Sequence, residues 1–147
     1  MTQTSTRPAL TSEIIEAAAA EFCERNGWDS GCAADIALVC YDEIMDGYAV
    51  AKALERECGW EPTAHDVEVL DCFGDDLRSA LRKASIAWAR DNNIQPPLPV
   101  GSMTTRGEIT GICRYDGACY EIRDPNDTDR ARRYIVRFED AIKVVCR

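Results

Sequence analysis

Apolar residues recur at steps of three and four positions along the first ninety residues, which places them on one face of successive helices. This pattern predicts helices over residues 13–25, 29–58 and 63–91. Thr11 or Ser12 is suited to cap the first helix, because a hydroxyl oxygen there accepts a hydrogen bond from the free amides of the first turn. The first two thirds of the chain are therefore expected to form a three-helix bundle.

Two glycines interrupt the longer predicted helices. Gly47 lies within the second helix and Gly74 within the third, and a glycine weakens a helix interior by about 1 kcal/mol relative to alanine. Thr63 and Asp66 have the spacing of a capping box, which marks the start of the third helix. A split in the second or third helix is therefore part of the prediction.

The spacing of apolar residues changes from about 3.6 to 2 after a proline-rich stretch at residues 95–101, and a period of 2 is typical of β-strands. Strands are predicted over residues 107–115, 118–123, 132–138 and, as a short last segment, 142–146. Asp116-Gly117 between the first two strands is typical of a two-residue hairpin turn, because both positions tolerate positive φ. The second part of the chain is expected to be a small antiparallel β unit.

These patterns predict an α+β fold made of an N-terminal helical bundle and a C-terminal β unit. The predicted organisation is a flexible N-terminus at residues 1–10, an acidic helical domain at 11–94, a proline-rich linker at 95–101 and the β unit at 102–147. The β unit is too small to bury much apolar surface alone, and the sequence leaves open whether the two parts share one core.

The last third of the chain resembles the small barrels of the Tudor and KOW type. The resemblance lies in the glycine-containing run from Arg106 to Ile112, the hairpin that follows it, and the run from Arg133 to Ile142. It implies a small closed barrel and a binding module rather than an enzyme.

The net charge of −9 is unevenly distributed along the chain. The first 100 residues contain 18 acidic and 8 basic side chains, a net charge of −10, whereas the remaining residues contain 9 basic and 8 acidic side chains, a net charge of +1. An acidic surface repels nucleic acid and membrane phosphates and attracts basic protein surfaces. The sequence also lacks a secretory signal pattern, so a cytoplasmic location is expected.

This charge favours a non-enzymatic protein that docks on a basic, nucleic-acid-binding partner. Small acidic inhibitors of phages and mobile elements, including anti-CRISPR proteins, are similar in size and charge, although no motif is shared. The residues expected to contact the partner lie on the polar faces of the second and third predicted helices: Asp42, Asp46, Asp71, Asp75 and Asp76.

An alternative is a nucleic-acid-binding regulator that uses the β unit. Arg132, Arg133 and Arg137 lie close together in sequence beside two aromatic residues, and arginine binds phosphate through a bidentate fork. Aspartates nearby and a nearly neutral β unit weigh against this interpretation.

Catalytic machinery is not recognisable in the sequence. His65 is the only histidine, and neither nucleophile motifs nor phosphate-binding loops occur. Cys58, His65 and Cys72 lack the close C-x-x-C pairs of structural zinc sites. We therefore expect no enzyme activity, cofactor or metal.

Eight cysteines are expected to be mostly reduced and buried, because no feature of the sequence directs the chain to an oxidising compartment. Cys113 and Cys119 flank the predicted hairpin turn symmetrically. They are predicted to lie on one face of the sheet as thiols, with a cross-strand disulfide as the alternative.

Overall fold

The computed structural model describes residues 6–40 and 45–145 of the chain. This part contains five α-helices rather than the predicted three, followed by four antiparallel strands. The helices are α1 (Ser12–Arg25), α2 (Ser30–Val39), α3 (Gly47–Cys58), α4 (Ala64–Asp71) and α5 (Phe73–Asp91). The α+β class is confirmed, and both of the longer predicted helices are divided in two.

Gly47 is the first residue of α3, and no larger residue fits at this position. A Cβ atom at this position would lie 2.2 Å from the carbonyl oxygen of Val67 and 2.6 Å from the backbone nitrogen of Asp71, both on α4. The other division falls at Cys72, between α4 and α5, and not at Gly74. The predicted split at Gly47 in the second helix is therefore correct. The split in the third helix lies two residues before the predicted Gly74.

A core of apolar side chains joins the helices α1 to α4 and the start of α5. The ring of Phe22 on α1 meets the rings of Trp28 and Phe73 edge-on, with centroids 5.6 and 5.1 Å apart. The fully buried residues of this helical core are Ala19, Phe22, Cys23, Ile36, Cys40, Val50, Leu54, Leu70, Phe73 and Leu77. Aromatic pairs in this geometry contribute about 0.5–1.5 kcal/mol beyond their buried area.

The strands form one open meander in the order β1-β2-β3-β4. They are β1 (Met103–Thr104), β2 (Gly107–Ile112), β3 (Cys119–Arg123) and β4 (Tyr134–Arg137), and a short 3-10 helix follows at Phe138–Asp140. Neighbouring strands are antiparallel, and β1 and β4 do not pair with each other in the described residues. The sheet is therefore not closed, and the barrel that the Tudor and KOW resemblance implied is not formed.

Among the described residues, the segment after the 3-10 helix adds one bridge to this sheet. Lys143 pairs with Thr104 of β1, where the sequence predicted a strand over residues 142–146. Cys146 of that predicted strand lies outside the described residues.

A second core covers one face of the sheet. It contains Ile109, Tyr120, Ile122, Val136 and Phe138, and the partly buried Trp88, Ala89, Ile94 and Leu98 pack against it. The hydroxyl of Tyr120 accepts a hydrogen bond from the amide of Leu98 at 2.7 Å and donates one to its carbonyl at 3.0 Å. The proline-rich stretch predicted as a linker is therefore packed against the sheet.

The connection between β2 and β3 is longer than the predicted two-residue turn. It runs from residue 113 to residue 118, and its positive φ lies at Ala118 rather than at Asp116 or Gly117. Gly117 passes so close to α5 that a Cβ there would lie 2.3 Å from the carbonyl oxygen of Ser85. This glycine is needed for the close approach of two backbones, and not for the turn conformation.

Contacts divide the chain into two units. The helical unit comprises residues 8–81, and the sheet unit comprises residues 82–145 together with Thr6 and Arg7. The division falls inside α5, whereas the sequence placed it at the proline-rich stretch, and Arg7 belongs to the sheet unit rather than to a free N-terminus. The two units have the separate cores described above.

Candidate functional site

The helical unit has a much stronger charge imbalance than the sequence division suggested. Residues 8–81 contain 17 acidic and 4 basic side chains, a net charge of −13, whereas the rest of the chain contains 13 basic and 9 acidic side chains, a net charge of +4. Each of the four cations of the helical unit is already in an ion pair: Arg25–Asp76, Lys52–Glu55, Arg56–Glu57 and Arg78–Asp75. The remaining carboxylates of this unit have no cation of their own unit to pair with.

Two of the predicted contact residues hold the start of α3 in place. Asp46 is the N-cap of α3, and its carboxylate accepts a hydrogen bond from the amide of Ala49 at 2.8 Å. Asp71 accepts one from the amide of Gly47 at 2.9 Å. Both side chains thus satisfy free amides of the first turn, which is a structural task.

Two further predicted contact residues form ion pairs within the helical unit. Asp75 pairs with Arg78 one turn along α5, and Asp76 pairs with Arg25 of α1 at 2.5 Å. The hydrogen bond that Arg25 donates to Asp76 raises the pKa of Arg25 above its usual value. Asp42, the fifth predicted residue, lies outside the described residues. Whether any of these aspartates contacts a partner stays a prediction.

A second set of exposed carboxylates, not among the residues predicted from the sequence, lies on α1. Glu13, Glu16 and Glu24 are exposed, and no ion pair joins them to another residue in the part of the chain that the structure describes. They lie on the side of α1 opposite to the buried Ile15 and Phe22. The helical spacing of these three residues was available in the sequence. We call them the α1 carboxylates.

A groove runs between α1 and α2 beside these carboxylates. Its volume is about 620 Å³. Small and apolar side chains form most of its lining, and one carboxylate, Glu16, stands at its side. The lining includes Ile15, Ala33, Ala34, Ala37 and Leu38. The side chain of Leu38 is unusual for a leucine because the residue is 72% exposed.

The arginines of the alternative hypothesis lie in and next to β4. Arg132 is in an ion pair with Asp127 at 3.4 Å, so part of its charge is neutralised. The guanidinium of Arg133 donates to the backbone carbonyls of Arg130 and Arg132 at 2.7 and 2.9 Å. Arg137 is exposed and lies opposite Cys119 in the sheet. The structure brings these arginines to one edge strand, but two of them already have acceptors from their own chain.

The residues considered for catalysis or metal binding are not gathered into a site. His65 is exposed in the first turn of α4. Among the described residues, no group of three or more histidine, cysteine, aspartate or glutamate side chains is placed to hold a metal ion. Cys113 and Cys119 are free thiols. Burial raises the pKa of the Cys23 thiol to about 11.

No protein-family model, curated protein or solved structure matches this chain. Of the helices in the described part of the chain, none combines the length and apolar composition needed to cross a bilayer. A function therefore has to be inferred from the chain's own residues.

Proposed function

We propose that this chain is a non-enzymatic binding protein whose acidic helical unit docks on a basic, nucleic-acid-binding partner. Such a protein competes with nucleic acid for the partner, as the small acidic inhibitors of phages and mobile elements do, anti-CRISPR proteins among them. The partner supplies cations to carboxylates that have none in their own unit.

One observation carries this proposal: a net charge of −13 on a unit whose four cations are all paired internally. The α1 carboxylates are the best candidates for contact, because they are exposed and take part in neither a cap nor an ion pair of the described residues. A row of uncompensated carboxylates speeds encounter with a basic surface and selects against acidic partners.

A competition assay tests the proposal. DNA-binding proteins are captured from a lysate on immobilised duplex DNA and then eluted. They are bound to a fluorescently labelled duplex, and the chain is added in increasing concentration. The measured quantity is the fraction of labelled duplex that is released. We expect release that weakens with added salt, because screening reduces attraction between exposed charges.

Matched triple variants separate contact from total charge. Replacing all three α1 carboxylates with glutamine, as E13Q/E16Q/E24Q, should raise the concentration needed for release roughly tenfold, since each exposed pair contributes about 0.2–1 kcal/mol. The control E57Q/E61Q/E68Q removes three exposed carboxylates of the same unit that lie outside α1, and it should change release far less.

Three results would contradict the proposal. Failure of the wild-type chain to release any duplex contradicts docking on such a partner. Equal losses in the two triple variants show that total charge, and not the α1 carboxylates, governs release. Release that does not depend on salt excludes an electrostatic contact.

The second candidate is nucleic-acid binding by the sheet unit, and the net charge of +4 on the chain outside residues 8–81 favours this function. Arg132, Arg133 and Arg137 would contact phosphate. Filter binding of a labelled duplex and of a labelled single strand at low salt tests it. Retention that is lost in R133A/R137A supports this function, whereas a chain that retains neither probe rules it out.

A further inference from the structure

The helix α2 is apolar on nearly all sides. Of its ten residues only Asp35 is charged, and the carboxylate of Asp35 accepts a hydrogen bond from the indole of Trp60 at 2.8 Å. Ile36 and Val39 are buried on the inner side of α2. A helix that is apolar all round is ordinarily surrounded by other elements, yet the outer side of α2 exposes Leu38 to solvent.

The lining of the groove between α1 and α2 is suited to packing against another helix. The alanines at positions 33, 34 and 37 are small, so a helix backbone can approach α2 closely, and Leu38 projects as a single large side chain at their side. Helix axes that pack through small residues lie about 8 Å apart. The lining of the groove is therefore mostly small and apolar, and it includes Leu38, which a partner's apolar face would cover.

We propose that the groove between α1 and α2 binds a cationic amphipathic helix of the partner, an inference that rests on the proposed function. The apolar face of that helix covers the alanines and Leu38. Its lysines and arginines lie against Glu16, which lines the groove, and Glu13, one turn earlier on α1. Binding of an amphipathic helix in a groove uses anchors at positions i, i+3, i+4 and i+7.

Charge decides between this occupant and a second copy of the same chain. A second helical unit would bring another net charge of −13 to the contact, and like charges facing each other across an interface oppose association. A cationic helix instead places opposite charges beside the groove. The apolar groove and the acidic α1 face together specify an occupant that is both amphipathic and basic.

Three synthetic peptides of about 18 residues, five helical turns, test this inference by fluorescence anisotropy. The first has leucines at helical spacing and lysines elsewhere. The second has the same composition in an order without an apolar face. The third has the order of the first with glutamate in place of lysine. We expect the first to bind roughly tenfold or more tightly than the second, and the third not to bind.

Variants of the chain locate the contact. Leu38→Ser should weaken binding of the first peptide roughly tenfold and leave the second unchanged. The matched control Tyr48→Ser removes another exposed large side chain of the helical unit, 62% exposed on α3, and should have no effect. E13Q/E16Q should weaken both cationic peptides. Because Leu38 is exposed, its replacement is not expected to prevent folding, and circular dichroism verifies this.

The outcomes distinguish the groove from the wider proposal. Equal binding of the two cationic peptides, with no effect of Leu38→Ser, overturns the groove and leaves docking by charge in place. Failure of both cationic peptides to bind overturns both proposals. Binding of the acidic peptide, or a dimer in sedimentation that Leu38→Ser abolishes, overturns the basic occupant.

Discussion

Arg7 is expected to stabilise the sheet unit although it lies only seven residues from the start of the chain. Its guanidinium donates to both carboxylate oxygens of Glu139, at 2.6 and 3.0 Å, and to the carbonyls of Gly117 and Ala118, at 2.6 and 2.8 Å. It also lies over the ring of Trp88, 5.1 Å from the centroid. The side chain is 11% exposed, so water cannot readily replace it.

Replacing Arg7 with alanine should lower the free energy of unfolding of the sheet unit by at least about 2 kcal/mol. The largest loss comes from the two carbonyls, because a hydrogen bond from a charged donor contributes about 1.5–3 kcal/mol. The ion pair adds little, about 0.2–1 kcal/mol, because Glu139 is 48% exposed. The cation–π contact adds about 0.5–1 kcal/mol to the loss. The alanine variant no longer has to order a long side chain on folding, and this reduces the loss by up to about 2 kcal/mol.

Urea unfolding with pulsed hydrogen exchange at β3 measures this effect in the sheet unit alone. A loss of this size lowers the urea midpoint by at least about 1 M if the slope is about 1.5 kcal/mol per M. Arg7→Lys should recover less than half, because a lysine cannot reach four acceptors with a planar fork. The control Arg90→Ala removes an arginine whose side chain is 74% exposed and should change stability little.

The contribution of Arg7 should also depend on pH with a defined sign. The hydrogen bond from Arg7 holds the pKa of Glu139 below its usual 4.5. Stability from this pair is therefore complete above about pH 4.5 and is lost as the pH falls through the lowered pKa. The difference between wild type and Arg7→Ala should shrink there but not vanish, since the carbonyl bonds remain. A variant within about 0.5 kcal/mol of wild type at pH 7, or Arg7→Lys equal to wild type, refutes this account.

Three further outcomes follow from the structure. Gly117→Ala should destabilise the sheet unit by at least about 1–3 kcal/mol in urea unfolding, whereas Gly31→Ala, whose new Cβ meets only an atom 3.6 Å away, should be neutral or stabilising. Asp71→Ala should lower the stability of the helical unit by about 1 kcal/mol through the lost hydrogen bond, measured by exchange at α3, and an unchanged exchange rate would contradict it. Iodoacetamide at pH 8 should alkylate the exposed Cys72 well before the buried Cys23, and peptide mass spectrometry would show any reversal of this order.

Features with local causes were predicted well from the sequence. The helix α1 begins at Ser12 and ends at Arg25, and its start differs from the prediction by one residue. Its N-cap at Thr11 and its apolar stripe both depend on residues that are close together in the sequence. The strands β2 and β3 are likewise found within the predicted ranges, since the alternation of apolar residues sets them. The α+β class follows from the change of period alone.

Features with distant causes were not predictable. Gly117 belongs to a sequence typical of a tight turn, but its actual constraint is the backbone of Ser85, more than thirty residues earlier. Arg7 stands in a polar segment typical of a flexible terminus, and its acceptors lie 110 to 132 residues along the chain. A local pattern contains no information about such partners.

Four of the five aspartates predicted to contact a partner also have partners within the chain, for a chemical reason. A short carboxylate on a polar helix face is also the side chain best suited to bind backbone amides at helix starts. Asp46 and Asp71 do this, and Asp75 and Asp76 are held in ion pairs. The α1 carboxylates are exposed and form no ion pair with another described residue.

The uncompensated charge of the helical unit links its stability to binding. A net charge of −13 without free cations repels itself and lowers the stability of the compact state. A division of the chain at residue 100 underestimates this net charge. It counts Arg7, Arg82, Lys83 and Arg90 with the helices, although these residues belong to the sheet unit. If a basic partner binds the folded unit and not the unfolded chain, as the proposed function requires, binding stabilises the helical unit by mass action. Under that proposal, the repulsion within the unbound unit is a source of its affinity for the partner.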